Sequence, residues 1–304
     1  MDSRRATVLA GLVAAELVVL GLIFSSLRGF SHHGSIALAS TSSGIPADVH
    51  TTIPTSHAPT VILRDDDAHF HIHTAPIAYV RIDETTTTDG RVGGITPLSV
   101  EHRQFNSIYV GRHELYHGSM HRDIAVVVPV NATIEVDDCT SLTMSGLSGA
   151  ATIKCSGDQP VEISDQRGAL EVKNDDGRVS ISHMTGDRLE VTNGDGSVEL
   201  TDVRTNFLTI KTGDGQIAGT GIVAGNGSIQ SGDGNVALTF APLANVTVGV
   251  KTDSSDSTVT AVSPLQLVQI GDSNSERQVR FGAGEGRLDV KTDDGSVTLA
   301  RGGI

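Results

Sequence analysis

A period of 19 residues governs the second half of the chain. Four pairs, Asp176-Gly177, Asp195-Gly196, Asp214-Gly215 and Asp233-Gly234, recur at that constant spacing. Each sits inside one phrase, such as Leu170-Glu-Val-Lys-Asn-Asp-Asp-Gly177-Arg-Val-Ser-Ile181 or Leu189-Glu-Val-Thr-Asn-Gly-Asp-Gly196-Ser-Val-Glu-Leu200. The phrase returns near the end as Leu288-Asp-Val-Lys-Thr-Asp-Asp294-Gly295-Ser-Val-Thr-Leu299. Equal periods near twenty signal stacked units, each too small to bury its own apolar face. Apolar residues alternate within each half-unit, which is the period of a strand.

Two architectures fit. A meander of hairpins uses each Asp-Gly as a two-residue antiparallel turn. A solenoid stacks each two-strand coil on its neighbour, about 4.8 Å per rung. The strict period favours the solenoid, because stacked coils need a common length and hairpins do not. Leu170, Leu189 and Leu208 then form one interior ladder; Val172, Val191 and Ile210 form a second, and Val179 with Val198 a third. The turn glycines are expected at positive φ, which glycine reaches without steric cost.

Composition agrees. Glycine is abundant at 34 residues, tryptophan is absent and aromatics are 3%, as suits many short strands joined by tight turns. The formal charge of -14 repels phosphates and disfavours nucleic acid as a partner.

The N-terminus sets the expected compartment. After Arg4 and Arg5, Ala6 to Phe24 is a 19-residue apolar run broken only by Glu16. As a helix it spans roughly 28 Å, close to the hydrocarbon thickness. The two arginines favour an N-inside orientation. An Ala37-Leu38-Ala39 match to a signal-peptidase site lies a dozen residues beyond the run, farther than such a site usually falls. Residues 1–27 therefore read as an uncleaved anchor. This makes a single-pass membrane protein with a cytoplasmic N-terminus and an extracytoplasmic remainder. Residues 28–62, rich in Ser, Thr, Pro, His and Gly, read as a disordered linker. Residues 63–304 read as the solenoid. The expected fold class is thus all-β, a parallel β-solenoid of about 19-residue two-strand repeats behind one transmembrane helix.

Two cysteines, Cys139 and Cys155, form no CxxC pair and no zinc pattern. In an exported chain a disulfide is the natural reading; two buried thiols are the alternative. Both cysteines follow a strand at nearly the same phase, which puts them on adjacent rungs of a solenoid and within disulfide reach.

Histidines are front-loaded, eleven of the twelve preceding residue 122. His69, His71 and His73 share one face of a strand at about 7 Å spacing, able to seat a transition metal or to form a pH-sensitive patch; a solvated face is the plainer reading. His113-Glu114-Leu115-Tyr116-His117 spells H-E-x-x-H, the zinc-hydrolase pattern when carried on a helix. Gly111 and Gly118 leave under two turns between flanking strand signals, so a polar loop is the preferred reading. No cofactor is implied.

Several runs together resemble the bacterial putative-adhesin domain family: Val128-Pro129-Val130-Asn131-Ala132-Thr133-Ile134-Glu135-Val136, then Ser145 to Gly149, the Asp-Gly repeats, and the closing Phe281 to Gly295. The resemblance covers about residues 65–304. It implies a β-solenoid, often tethered to a membrane, with adhesion or envelope roles and no agreed catalytic residues.

The leading functional expectation is a binding or adhesion module for a protein or glycan of the envelope or surface. The alternatives are an envelope structural or signalling partner of another membrane protein, with Glu16 as its handle, and a zinc hydrolase through His113, Glu114 and His117. The stacked Asp176, Asp195, Asp214 and Asp233 would form a carboxylate row, either solvated turn chemistry or a place for Ca²⁺.

Overall fold

A computed structural model describes residues 36–37, 49–55, 58–88, 98–103, 106–111, 120–262, 265, 268–269 and 276–303. The anchor segment 1–27 and the His113-Glu114-His117 motif lie outside them. The described residues are all-β. The chain begins β1 (Ile36–Ala37), β2 (Val49–Pro54), β3 (Thr60–Arg64), β4 (Ala68–Ala75), β5 (Tyr79–Thr88), β6 (Ser99–Arg103), β7 (Ser107–Gly111) and β8 (Met120–Pro129). It continues β9 (Thr133–Asp137), β10 (Ser141–Ser145), β11 (Ala151–Cys155), β12 (Val161–Ser164), β13 (Leu170–Asn174), β14 (Val179–Ser182), β15 (Thr185–Asn193), β16 (Val198–Thr201), β17 (Arg204–Lys211), β18 (Ile217–Ser231) and β19 (Val236–Phe240). It closes with β20 (Val246–Thr252), β21 (Val259–Ala261), β22 (Val268–Gln269), β23 (Glu276–Phe281), β24 (Gly286–Thr292) and β25 (Val297–Arg301).

From β9 to β17 the strands alternate between two sheets. β9, β11, β13, β15 and β17 pair in parallel in the first sheet. β10, β12, β14 and β16 do so in the second. β18 is long enough to serve both sheets. No Asp-Gly turn joins an antiparallel pair: β13 and β14, and β15 and β16, pair only with other rungs, and where β18 pairs with β17 and β19 it does so in parallel, one rung on. This excludes the hairpin meander and gives the solenoid.

The register is one repeat per rung. Leu170 faces Leu189 and Leu189 faces Leu208. Val172, Val191 and Ile210 align beside them, and Val179 faces Val198. All are buried at 1% exposure or less. Each buried aliphatic contributes about 1.5–3 kcal/mol, and the ladders from the two sheets meet in one continuous core.

Sequence order breaks at both ends. β24 pairs with β18 on one side and β20 on the other, and β25 lies between β19 and β21. The last copy of the phrase is therefore inserted between two rungs that precede it in sequence. At the other end β3 lies between β7 and β9, and β4 between β8 and β10. Antiparallel strands finish the stack: β23 on β20, β5 on β8 and β6 on β7. They shield parallel edges that would otherwise recruit other chains.

Ordered strand also occupies the end of the 28–62 stretch. β2 pairs antiparallel with β5, and β3 starts at Thr60. β2 buries little beyond Ile53, which packs on the core from an edge, so its alternation is too faint to read from sequence.

Candidate functional site

The Asp-Gly corner is built differently from the expectation. Gly177, Gly196, Gly215, Gly234 and Gly295 are not among the residues at positive φ. They are required by contact: a Cβ on Gly215 would overlap the carbonyl oxygen of Gly196, and one on Gly295 would overlap that of Gly234. Three residues before each glycine stands a buried polar side chain: Asn174, Asn193, Thr212, Ser231 and Thr292. Asn174 and Asn193 both donate to the Gly177 carbonyl, at 2.9 and 3.0 Å, and Asn174 also donates to Asn193 Oδ1 at 3.0 Å. Ser231 donates to the Gly215 carbonyl at 3.0 Å, and Thr292 to that of Gly232 at 2.9 Å. Sequence reading missed this ladder, although its fixed offset from each glycine was visible.

The aspartates form the expected row, extended by the inserted rung: Asp176, Asp195, Asp214, Asp233 and then Asp294. The first two carboxylates reach toward the next rung. Asp176 Oδ1 accepts from the Asp195 amide at 3.1 Å, and Asp195 Oδ1 from the Asp214 amide at 3.3 Å. The Asp214 carboxylate, with partial desolvation and Asp294 adding, pushes the Asp233 pKa up. Among the described residues, no group of three or more His, Cys, Asp or Glu side chains is arranged to hold a metal.

Positive φ recurs rung after rung at the opposite corner. Gly146, Asp165, His183, Asp202 and Gly221, one per rung, have φ of 80°, 55°, 52°, 52° and 72°. Aspartate tolerates the left-handed region better than most residues. Just beyond this corner lies a groove of about 450 Å³, lined by Arg167, Thr185, Asp187, Arg204 and Asn206 over a floor of Gly168, Ala169 and Gly186. Asn206 donates to Asp187 Oδ1 at 2.9 Å. Phe207, next in sequence, is 52% exposed.

The outer face of the first sheet is striped by charge. All five lysines of the chain stand on one cross-strand row, in the order Lys154, Lys173, Thr192, Lys211, Gln230, Lys291, Lys251. Two residues along each strand, a second row carries Glu171, Glu190 and Asp289. Lys173 reaches Glu171 at 2.7 Å, Lys154 reaches Asp137 at 3.1 Å, and Lys291 reaches Asp253 and Asp293 at 2.9 Å each. The Glu171 hydrogen bond raises the Lys173 pKa. Lys291 holds Asp253 below the usual carboxylate range. The row is therefore largely self-compensated.

His69, His71 and His73 do share the outward face of β4. They do not converge. His69 Nδ1 contacts Ser141 Oγ at 2.8 Å, His73 Nδ1 contacts Ser145 Oγ at 3.0 Å, and His71 Nε2 lies 3.7 Å from Asp123. From His73 the row runs on through Ser145, Ser164, Ser182, Thr201, Thr220 and Thr239. Cys139 and Cys155 are brought within bonding distance, their Cα atoms 4.5 Å apart. Near the N-terminal end Arg122 is buried against Asp65, with 3.2 Å to each carboxylate oxygen. Sequence reading passed over both.

The family model described as Toastrack DUF4097 matches residues 77–302. No curated protein matches the chain. Among solved structures, the chain is similar to the crystal structure of a putative cell adhesion protein from Clostridium sporogenes ATCC 15579. That similarity has 8% identity and a TM-score of 0.27, over 85% of this chain and 100% of that one. The family match takes in every rung from β8 to β25 and about three quarters of the sequence, so the chain belongs to the Toastrack DUF4097 family.

Proposed function

We propose that this protein is a membrane-tethered, extracytoplasmic binding or adhesion module that holds a surface or envelope ligand and performs no catalysis. The observation that carries the reading is the solenoid itself. Two flat outer faces and two continuous corners are repeated over many rungs, a surface suited to extended partners. Family membership supports it. The apolar run from Ala6 to Phe24, preceded by Arg4 and Arg5, supports the tether and an N-inside orientation.

The test is protease protection in intact cells expressing the full chain with a C-terminal tag. The tag should be digested without lysis, and exchange of residues 6–27 for an unrelated single span should leave ligand retention unchanged. A protected tag would overturn the topology. Loss of function on exchange of the span would favour a signalling partnership within the membrane, for which Glu16 in the apolar run is the specific support. Zinc bound stoichiometrically to the purified full chain, with hydrolysis lost on Glu114→Gln, would overturn the non-catalytic reading.

A further inference from the structure

The groove beside the positive-φ corner holds two cations that are not satisfied from within. Arg167 and Arg204 occupy the same position of the coil, two rungs apart, with Thr185 between them. The backbone amides of the three donate to the carbonyls of Leu147, Gln166 and Met184 on the preceding rungs. Parallel rungs are spaced about 4.8 Å apart, so the two guanidinium positions recur at about 10 Å. Among the described residues, neither guanidinium takes part in a hydrogen bond or an ion pair. In contrast, Arg178 pairs with Glu199 and Arg188 with Glu190. The second groove, about 380 Å³ around Lys154, Cys155 and Lys173, has its lysines held by Asp137 and Glu171, and among the described residues Arg64 is its single cation without a partner. Two unpaired guanidiniums lining one groove therefore stand out in a chain of formal charge -14, where carboxylates are plentiful.

The other groups in the groove narrow the ligand. Asp187 is tied to Asn206 through one oxygen and keeps lone pairs for hydroxyl donors. Thr185 offers a hydroxyl, and the glycine and alanine floor lets a chain lie close to the backbone. Guanidiniums recognise planar or tetrahedral oxyanions through a rigid fork of donors. We propose that this groove binds an acidic glycan, with Arg167 and Arg204 holding negative groups about two rungs apart along it and Asp187, Asn206 and Thr185 taking sugar hydroxyls. This rests on the reading of the protein as a binding module and names its ligand class.

The experiment is fluorescence anisotropy with full-length protein in detergent, using labelled polygalacturonate, with neutral dextran and inorganic polyphosphate as comparators. Polygalacturonate should bind, and dextran at least about tenfold more weakly. Arg167→Ala/Arg204→Ala should lose about tenfold or more in affinity with an unchanged melting temperature, since both side chains are exposed. Lys211→Ala/Lys291→Ala removes the same charge from the lysine row and should keep the wild-type affinity. Equal losses in the two double variants would reduce the effect to general electrostatics and overturn the site. Polyphosphate binding that depends on the arginines, without polygalacturonate binding, would keep the oxyanion site but overturn the glycan. Binding of no polymer overturns the proposal, and the protease-protection result then decides independently whether the wider reading survives.

Discussion

A methyl group at position 215 has nowhere to go. The Gly196 carbonyl oxygen and the Thr212 hydroxyl already fill the space, so Gly215→Ala forces two rungs apart. Overpacking of this kind costs about 1–3 kcal/mol, and urea titration should show a loss in that range; stability within error of wild type would mean that the rungs are looser than described. The expected reason for the glycine was torsional and the actual one is contact. Sequence marks where glycine is needed and leaves open whether φ or space demands it. Asp233 offers a complementary test. A folded-state pKa raised above the unfolded value means that this aspartate favours folding when protonated, and that contribution is lost as pH rises through the raised pKa. Asp233→Asn should therefore raise the melting temperature at pH 7, and the difference should vanish below the ordinary aspartate range. A difference unchanged by pH would rule out the Asp214 carboxylate as its cause.

At the scale of the element, the middle rungs were legible because each repeats its neighbour. Leu189 predicts its contact with Leu208 by equivalence alone. The ends were not, because their pairings join segments far apart: Leu288 meets Gly227 and Val248, and nothing local says that the last phrase returns to an earlier slot. The same contrast predicts deletion behaviour. Removing residues 189–207 joins Arg188 to Leu208 in phase and should leave a folded domain that unfolds cooperatively, as read by circular dichroism. Removing residues 286–304 bares parallel edges on β18 and β20 together and should cause aggregation on size-exclusion chromatography. Equal tolerance of the two deletions would count against the inserted rung. For the cysteine pair, Cys139→Ser/Cys155→Ser under oxidising conditions should cost about 3 kcal/mol, by loop-closure entropy for a loop of this size. No change would mean that the pair is not bonded.

Across the whole molecule, like charges recur in register as stripes; the lysine stripe is offset by neighbouring carboxylates, whereas the aspartate row is not. The corner groove instead sets two unpaired guanidiniums beside Asp187, Asn206 and Thr185, which is why it, and not the aspartate row or the histidines, carries the ligand proposal. Its residues were individually visible in the sequence. Arg167 and Arg204 lie 37 apart, just short of two periods, but only the folded corner shows them aligned and without partners.

The inserted final rung also has a mechanical consequence. In a stack built in sequence order, tension on the C-terminus peels one strand at a time from a free edge. Here the last strands, β24 and β25, are gripped on both sides. Tension on Arg301 resisted at the N-terminal end must therefore strip two ladders at once, so the C-terminal end does not unzip strand by strand.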